Sequence, residues 1–224
     1  MNLINLSVII PMHNGIGFID RAIQSIIDVA SDLEIVIVEN GSSDGSFEYL
    51  QMNYPKLSIH SIPDASKTKA RNLGAKFATR EVITFLDQDD EFTSGRVNPI
   101  YLENAKNGAV IIGTQEFLDS ENSLMPPYLK DSYKNGRPNY HPISALISRE
   151  TFIEVGGFNE DYELAEDFEL WTRILRSNHA PVYVNEYFII RHFHSSNESH
   201  QVARASKELL RLVRGHVDAQ RSAK

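Results

Sequence analysis

The sequence predicts a layered α/β fold built on a mostly parallel sheet, and two observations predict it. Apolar runs of strand length alternate with stretches of helical period from Leu6 to Leu86. Such βαβαβ alternation implies right-handed crossovers and a sheet covered on both faces. The polar clusters of this region directly follow strands, and sheets of this kind bind ligands past the carboxyl ends of their strands.

The first strand is Leu6-Ser7-Val8-Ile9-Ile10, after which Phe18, Ile19, Ala22, Ile23, Ile26, Ile27 and Ala30 recur at helical spacing. Residues 33–38 form the second strand, which ends in the turn-rich Glu39-Asn40-Gly41-Ser42-Ser43-Asp44-Gly45. A short helix over 47–52 and a third strand over 57–62 follow. Residues 67–79 then read as a helix with Ala70, Leu73, Phe77 and Ala78 inward, and 81–86 as the fourth strand.

Beyond it, the pattern predicts a helix over 97–105 and a strand over 109–113. Residues 119–142 are rich in Asn, Pro, Ser, Tyr and Gly without period, which is the character of a binding or lid segment. A strand over 143–148, a short helix over 149–155 ended by Gly156-Gly157, and a helix over 166–176 with Phe168, Trp171, Ile174 and Leu175 inward come next. Residues 181–184 and 187–191 read as two short strands. The chain closes on an amphipathic helix, its apolar stripe formed by Ala205, Leu209, Leu212, Val213 and His216, with Lys207, Arg211 and Arg214 elsewhere on its surface.

At 224 residues one domain is the default. No apolar run approaches the roughly 20 residues of a membrane span, and Met1 to Leu6 lacks the basic start of a secretory signal. The chain has no Cys, which removes disulfides and thiolate zinc sites and implies a reducing, cytoplasmic home. A formal charge of −8 argues against a nucleic-acid partner, because neutralising phosphates takes clustered Lys and Arg.

Asp87-Gln88-Asp89-Asp90 is the densest polar signal. Carboxylates so close repel one another, and a hard divalent cation shared with phosphate oxygens is one reason to gather them; a solvated acidic turn is the other. In the cluster after the second strand, Glu39 or Asn40 could accept from a base N–H or a ribose hydroxyl, or the segment could be a plain turn capping the next helix. Lys67, Lys69 and Arg71 open a helix, where donors suit a diphosphate but also make an ordinary basic face. Glu166-Asp167 opens another, and neighbouring helix positions point in different directions, so one acid can enter a cleft while the other caps or braces. His192 and His194 share one face at the end of a strand.

Together these segments resemble the family 2 inverting glycosyltransferases of the GT-A fold. Ser7-Val8-Ile9-Ile10-Pro11-Met12-His13-Asn14 is similar to that family's Ser-Val-Ile-Ile-Pro-x-Tyr-Asn, and Glu39-Asn40-Gly41-Ser42-Ser43-Asp44 to its Asp-Asp-Gly-Ser-x-Asp. Ala70-Arg71-Asn72-Leu73-Gly74 and Phe85-Leu86-Asp87-Gln88-Asp89-Asp90 are similar to Ala-Arg-Asn-x-Gly and to the acidic Phe-Leu-Asp-x-Asp-Asp. The segments around Gly156-Gly157-Phe158 and Glu166-Asp167 resemble its acceptor side, and all six occur in order from about Leu6 to His194.

The resemblance implies a nucleotide-sugar-binding half over 1–113, an acceptor-side half over 114–199, and a C-terminal helix and tail over 200–224. It places Pro11 and Glu39 in the nucleoside pocket, Arg71 near the diphosphate, and Asp87 in the acidic motif. Asp89 would touch Mn²⁺ or Mg²⁺ directly and His194 would approach it. Asp167 would be the catalytic base, with Glu166 beside it. The implied activity is transfer of a hexose or N-acetylhexosamine from a UDP-sugar to a hydroxyl of a glycan, a lipid-linked or a small acceptor; the alternative is a nucleotide-sugar-binding module without turnover. His13 stands where the family has an aromatic residue, and Glu39-Asn40 where it has paired aspartates, yet a uridine donor is still implied. A basic final helix could rest peripherally on the inner face of an anionic membrane, or pack. A sugar-phosphate nucleotidyltransferase would need a Gly-rich phosphate loop, for which Asn14-Gly15-Ile16-Gly17 is too thin.

Overall fold

A computed structural model of the chain describes residues 3–119, 141–179, 181–194 and 206–214. Among them run β1 (Leu6–Met12), α1 (Ile19–Val29), β2 (Glu34–Asn40), α2 (Ser46–Asn53), β3 (Ser58–Ile62), α3 (Lys67–Phe77) and β4 (Val82–Phe85). The short β5 (Glu91–Phe92), α4 (Pro99–Lys106) and β6 (Val110–Asp119) follow. After a 3₁₀ turn at Pro142–Ser144 come β7 (Ala145–Ser148), α5 (Arg149–Glu154), α6 (Glu166–Arg176) and β8 (Pro181–Phe193). A last helix, α7, covers 206–214.

The strands form one eight-stranded sheet in the order β3-β2-β1-β4-β7-β6-β8-β5. The β3-β2-β1-β4 half is parallel throughout, as the alternation predicts. Beyond β4 the sheet is mixed, since β7 is antiparallel to β4 and β6 while β6 and β8 run parallel. β1 is buried along its whole length, which is why it reads as an unbroken apolar run. Helix α3 approaches it closely at Gly74, where a Cβ would meet Ile9 Cγ2 at 2.4 Å.

Several packing expectations need correction. Phe77 is 41% exposed and stacks on His60 at the surface, with ring centroids 3.5 Å apart. Phe168 and Leu175 also face out; α6 buries Glu166, Glu169, Leu170, Trp171 and Ile174 instead. The error has one cause: the inward stripe of α6 includes two acids, so apolarity alone aims it wrongly. The two short strands expected over 181–191 are one strand, β8, whose pairing with β6 shifts register around Thr114. Residues 143–144 belong to the 3₁₀ turn, and Leu209 and Val213 of α7 are exposed. The binding-segment reading of 119–142 falls almost entirely outside the described residues, as do Ala205 and His216. Among the described residues no helix is long and apolar enough to cross a membrane.

Candidate active site

The parallel half presents three strand ends side by side, and side chains link them. At the end of β1, His13 Nδ1–H donates to Asn40 O at 2.8 Å, tying β1 to β2. The Gln88 amide holds the backbone of His13 at two points: its Oε1 accepts from His13 N–H at 2.9 Å and its Nε2 donates to His13 O at 3.0 Å. The middle residue of Asp87-Gln88-Asp89 is therefore a tether. Gly41 takes φ +70°, which lets the β2 loop lie against the backbone at Pro63.

Glu39 is buried and occupied, accepting from Ser42 N–H and from Ser61 Oγ–H at 2.7 Å. Its neighbour Asn40 is equally buried, and its Oδ1 has no hydrogen-bond partner. Pro11 lies buried in β1 opposite Val38.

Arg71, fully buried on α3, is the hub of the site. Its Nη2 bonds Asp87 Oδ1 at 2.7 Å, and its Nη1 lies 3.3 Å from Glu166 Oε1 and 3.6 Å from Asp167 Oδ1. Its guanidinium also covers the Phe158 ring at 5.2 Å. Lys67 Nζ, one turn earlier, reaches Glu166 Oε1 at 2.9 Å. Burial pushes the Asp87 carboxyl up, but Arg71 and then Lys67 override it and hold Asp87 well below the usual carboxylate range.

Asn72 clamps the Gly-Gly-Phe segment to the same helix, donating to Phe158 O at 2.9 Å and accepting from Phe158 N–H at 2.8 Å. The loop before α6 is held from the other side by α7, whose Glu208 accepts from the N–H groups of Glu163, Leu164 and Ala165 at 3.0, 2.8 and 3.1 Å. Three successive N–H groups turned inward form a concavity that suits an anion, here a carboxylate.

Glu166 and Asp167 divide as adjacent helix positions must. Glu166 is braced by Arg71 and Lys67, and burial together with the Asp167 charge leaves its pKa raised. Asp167, whose side chain is 13% exposed, has its pKa raised by burial against the opposing pull of Arg71 and Lys67. Its Oδ1 accepts no hydrogen bond. His141 Nδ1 lies 3.1 Å from its other oxygen.

On the far side of Asp87, Asp89 Oδ2 meets His194 Nε2 at 2.9 Å. Phe18 stacks on the His194 ring, with centroids 4.7 Å apart and planes at 15°, and Arg21 Nη2 holds Asp89 O at 2.5 Å. Asp90 points into the protein, where burial pushes its pKa well above the usual value and Oδ1 accepts His192 N–H at 3.0 Å. Among the described residues no three His, Asp or Glu side chains converge on one point. A carboxylate and an imidazole facing each other could supply part of a divalent cation's ligand set, to be completed by oxygen ligands.

The structure thus gathers Asp87, Arg71, Glu166 and Asp167 into one cluster, and Asp89 with His194 into a second joined to it through Gln88. Of the residues that complete the site, Asn40 is a candidate acceptor in the sequence and Asn72 belongs to a matched motif, while Gln88, His141 and Glu208 have no role assigned there. Asn40 and Gln88 lay inside clusters already singled out, while His141 and Glu208 carried no local signal because their partners are distant in the chain. A shallow depression of about 600 Å³ near Gly95, Glu116, Glu186 and Tyr187 shares no residue with either cluster.

A parallel half, an acidic strand-end motif and a mixed second half are the marks of the GT-A fold. A model of the family described as "Glycosyl transferase family 2" matches residues 7–159, and the chain belongs to that family. It is 28% identical over 221 residues to an uncharacterized glycosyltransferase of Rickettsia felis, covering 91% of this chain and 36% of that protein. With the uncharacterized glycosyltransferase EpsJ of Bacillus subtilis it shares 32% over 185 residues, 72% of this chain and 53% of the relative. Among solved structures it resembles S. aureus TarS 1-349 in complex with UDP-GlcNAc, with a TM-score of 0.67 at 16% identity, covering 86% of this chain and 59% of that one. The chain spans about a third of the length of the Rickettsia relative.

Proposed function

We propose that the protein transfers a hexose or N-acetylhexosamine from a UDP-sugar to a hydroxyl acceptor with inversion, in a reaction that depends on Mn²⁺ or Mg²⁺. The observation that carries this reading is the buried guanidinium of Arg71, which draws the acidic motif at Asp87 and the acid pair at Glu166 and Asp167 to one place. TarS, the structural neighbour, is known in complexes with UDP and UDP-GlcNAc.

In this reading the nucleoside lies over the ends of β1 and β2. There the unpartnered Asn40 Oδ1 is a better acceptor for a base N–H than the occupied Glu39. The diphosphate lies toward Asp87, Asp89 and Lys67, because Arg71 is enclosed by its own carboxylates. A cation held by Asp89 and His194 would offset the charge growing on the departing diphosphate. The Asp167 carboxylate accepts the acceptor hydroxyl's proton as that oxygen attacks the anomeric carbon from the face opposite the leaving group. Glu166 and Lys67 keep Arg71 and the base in register.

On α7, Leu209, Leu210 and Val213 are exposed beside Lys207 and Arg214. This face suits peripheral contact with an anionic membrane carrying a lipid-linked acceptor, on the cytoplasmic side that a Cys-free chain favours. The test of the whole reading is a screen of nucleotide sugars with Mn²⁺, following thermal shift and release of free nucleoside diphosphate together. Selective stabilisation and release with a UDP-sugar is the expected result. Binding without release across a broad acceptor panel would instead make the chain a binding module.

A further inference from the structure

We propose that His141 is a positioning residue for Asp167: its Nδ1–H faces Oδ2, on the side of the carboxylate away from Arg71, and orients the group as the base for the acceptor hydroxyl. The inference deepens the transferase reading and rests on it.

The geometry is specific. His141 Nδ1 lies 3.1 Å from Asp167 Oδ2, and both His141 Nδ1 and Asp167 Oδ1 are buried without a hydrogen-bond partner. The ring is close to the carboxylate but not yet aligned with it, a common condition of catalytic contacts before substrate binds. The backbone beneath the ring is fixed. His141 O accepts from Ser144 N–H and from Ser144 Oγ–H, at 2.9 and 2.8 Å, and Pro142 follows it. Two residues on, Ile143 O is gripped by the buried Arg96.

The surroundings select the tautomer and the role. Arg191 from β8, Asp87 from the turn after β4, Arg71 and Lys67 from α3, and Asp167 from α6 act on the ring. Burial, then Arg191, lowers the His141 pKa to about 3, so the imidazole is neutral at neutral pH. A neutral ring beside a carboxylate carries its proton on the nitrogen that faces it. His141 therefore donates a hydrogen bond and takes no proton during the reaction. The acceptor's O–H bond breaks toward the Asp167 carboxylate as its oxygen bonds the anomeric carbon, and the electron pair of the old bond from that carbon to the diphosphate oxygen leaves with the nucleoside diphosphate. A donor on Oδ2 favours the charged carboxylate and so lowers its pKa.

The experiment pairs a turnover-independent readout with kinetics. The Asp167 carboxyl is titrated by ¹³C NMR in the intact wild-type chain, His141→Ala and His141→Asn, the signal being assigned with Asp167→Asn. The Asn amide can place an N–H near the position of Nδ1. The expected result is a titration midpoint moved upward in His141→Ala and returned toward wild type in His141→Asn. In turnover, the acid limb of the kcat profile moves the same way, kcat in His141→Ala falls on the order of tenfold or more, and donor KM stays nearly constant. Should the Ala variant not fold, His141→Gln replaces it, because Gln reaches the position of Nε2 instead. An unmoved Asp167 midpoint in the Ala or Gln variant overturns the pairing, as does an equal shift in the Asn variant. A shift of the expected pattern in a chain that turns over no nucleotide sugar supports the pairing and overturns the transferase reading.

Discussion

Asp167 works against the stability of the fold that holds it. Its folded-state pKa lies above the unfolded one, so its contribution is fully favourable only below the unfolded pKa and is lost as pH rises through the folded value. Near neutral pH the ionised group therefore opposes folding. Asp167→Asn should raise Tm at neutral pH, by about 2–4 °C for each kcal/mol relieved. The gap should close on acidification. Arg71 keeps Asp87 and Glu166 as counter-charges in this variant, so the cation is not stranded. Transfer should nonetheless fall by about a hundred- to ten-thousand-fold while donor affinity persists, as measured by calorimetry beside product release. Asp87 has the opposite sign: its depressed pKa supports the fold above the unfolded value and is lost as pH falls toward the folded one. At Asp89, substitution by Asn should remove the Mn²⁺-dependent part of donor binding, and an affinity that still responds fully to Mn²⁺ would take Asp89 out of the cation's shell.

At the scale of elements, α3 couples fold to site. It packs against β1 through Gly74 and carries Lys67, Arg71 and Asn72 toward the carboxylates and the Phe158 segment. Gly74→Ala puts a methyl into Ile9, and we expect about 1–3 kcal/mol of destabilisation in denaturant melts, with donor affinity weakened because Arg71 moves with the helix. Helix α7 acts on the other flank: Glu208→Ala leaves three N–H groups before α6 without their carboxylate and should lower Tm, while Glu208→Gln retains part of the effect. The parallel half was legible because its strands are buried on both faces and its helices keep a 3.6-residue period. Helix α6 was legible in extent but not in orientation, since its inner face spends two positions on Glu166 and Glu169. Arg71, Asp87, Glu166 and Asp167 were visible as motifs. Their common centre was not, because Arg71 and Glu166 are 95 positions apart and only the folded chain brings them together.

Over the whole molecule, the parallel and mixed parts of the sheet are joined by a second buried cation. Arg96 is fully buried and donates to Thr84 Oγ1 and Phe85 O from β4, to Phe188 O from β8, and to Ile143 O before β7. Burial lowers its pKa to about 9, which still leaves it charged at neutral pH. Arg96→Met strands those acceptors and should cost more than about 3 kcal/mol, seen as a lower urea midpoint. Turnover should fall as well, since Ile143 supports His141.

Arg71 sets a rule for altering what this protein handles. Because one guanidinium is the counter-ion for both Asp87 and Asp167, the proposed transferase reading implies that donor and acceptor specificity cannot be redesigned by trading charges near it, since a charge swap at either acid unsettles the other. New sugars or new alcohols would have to be accommodated by loops that leave this shared cation untouched, so divergence in such a scaffold runs through its periphery.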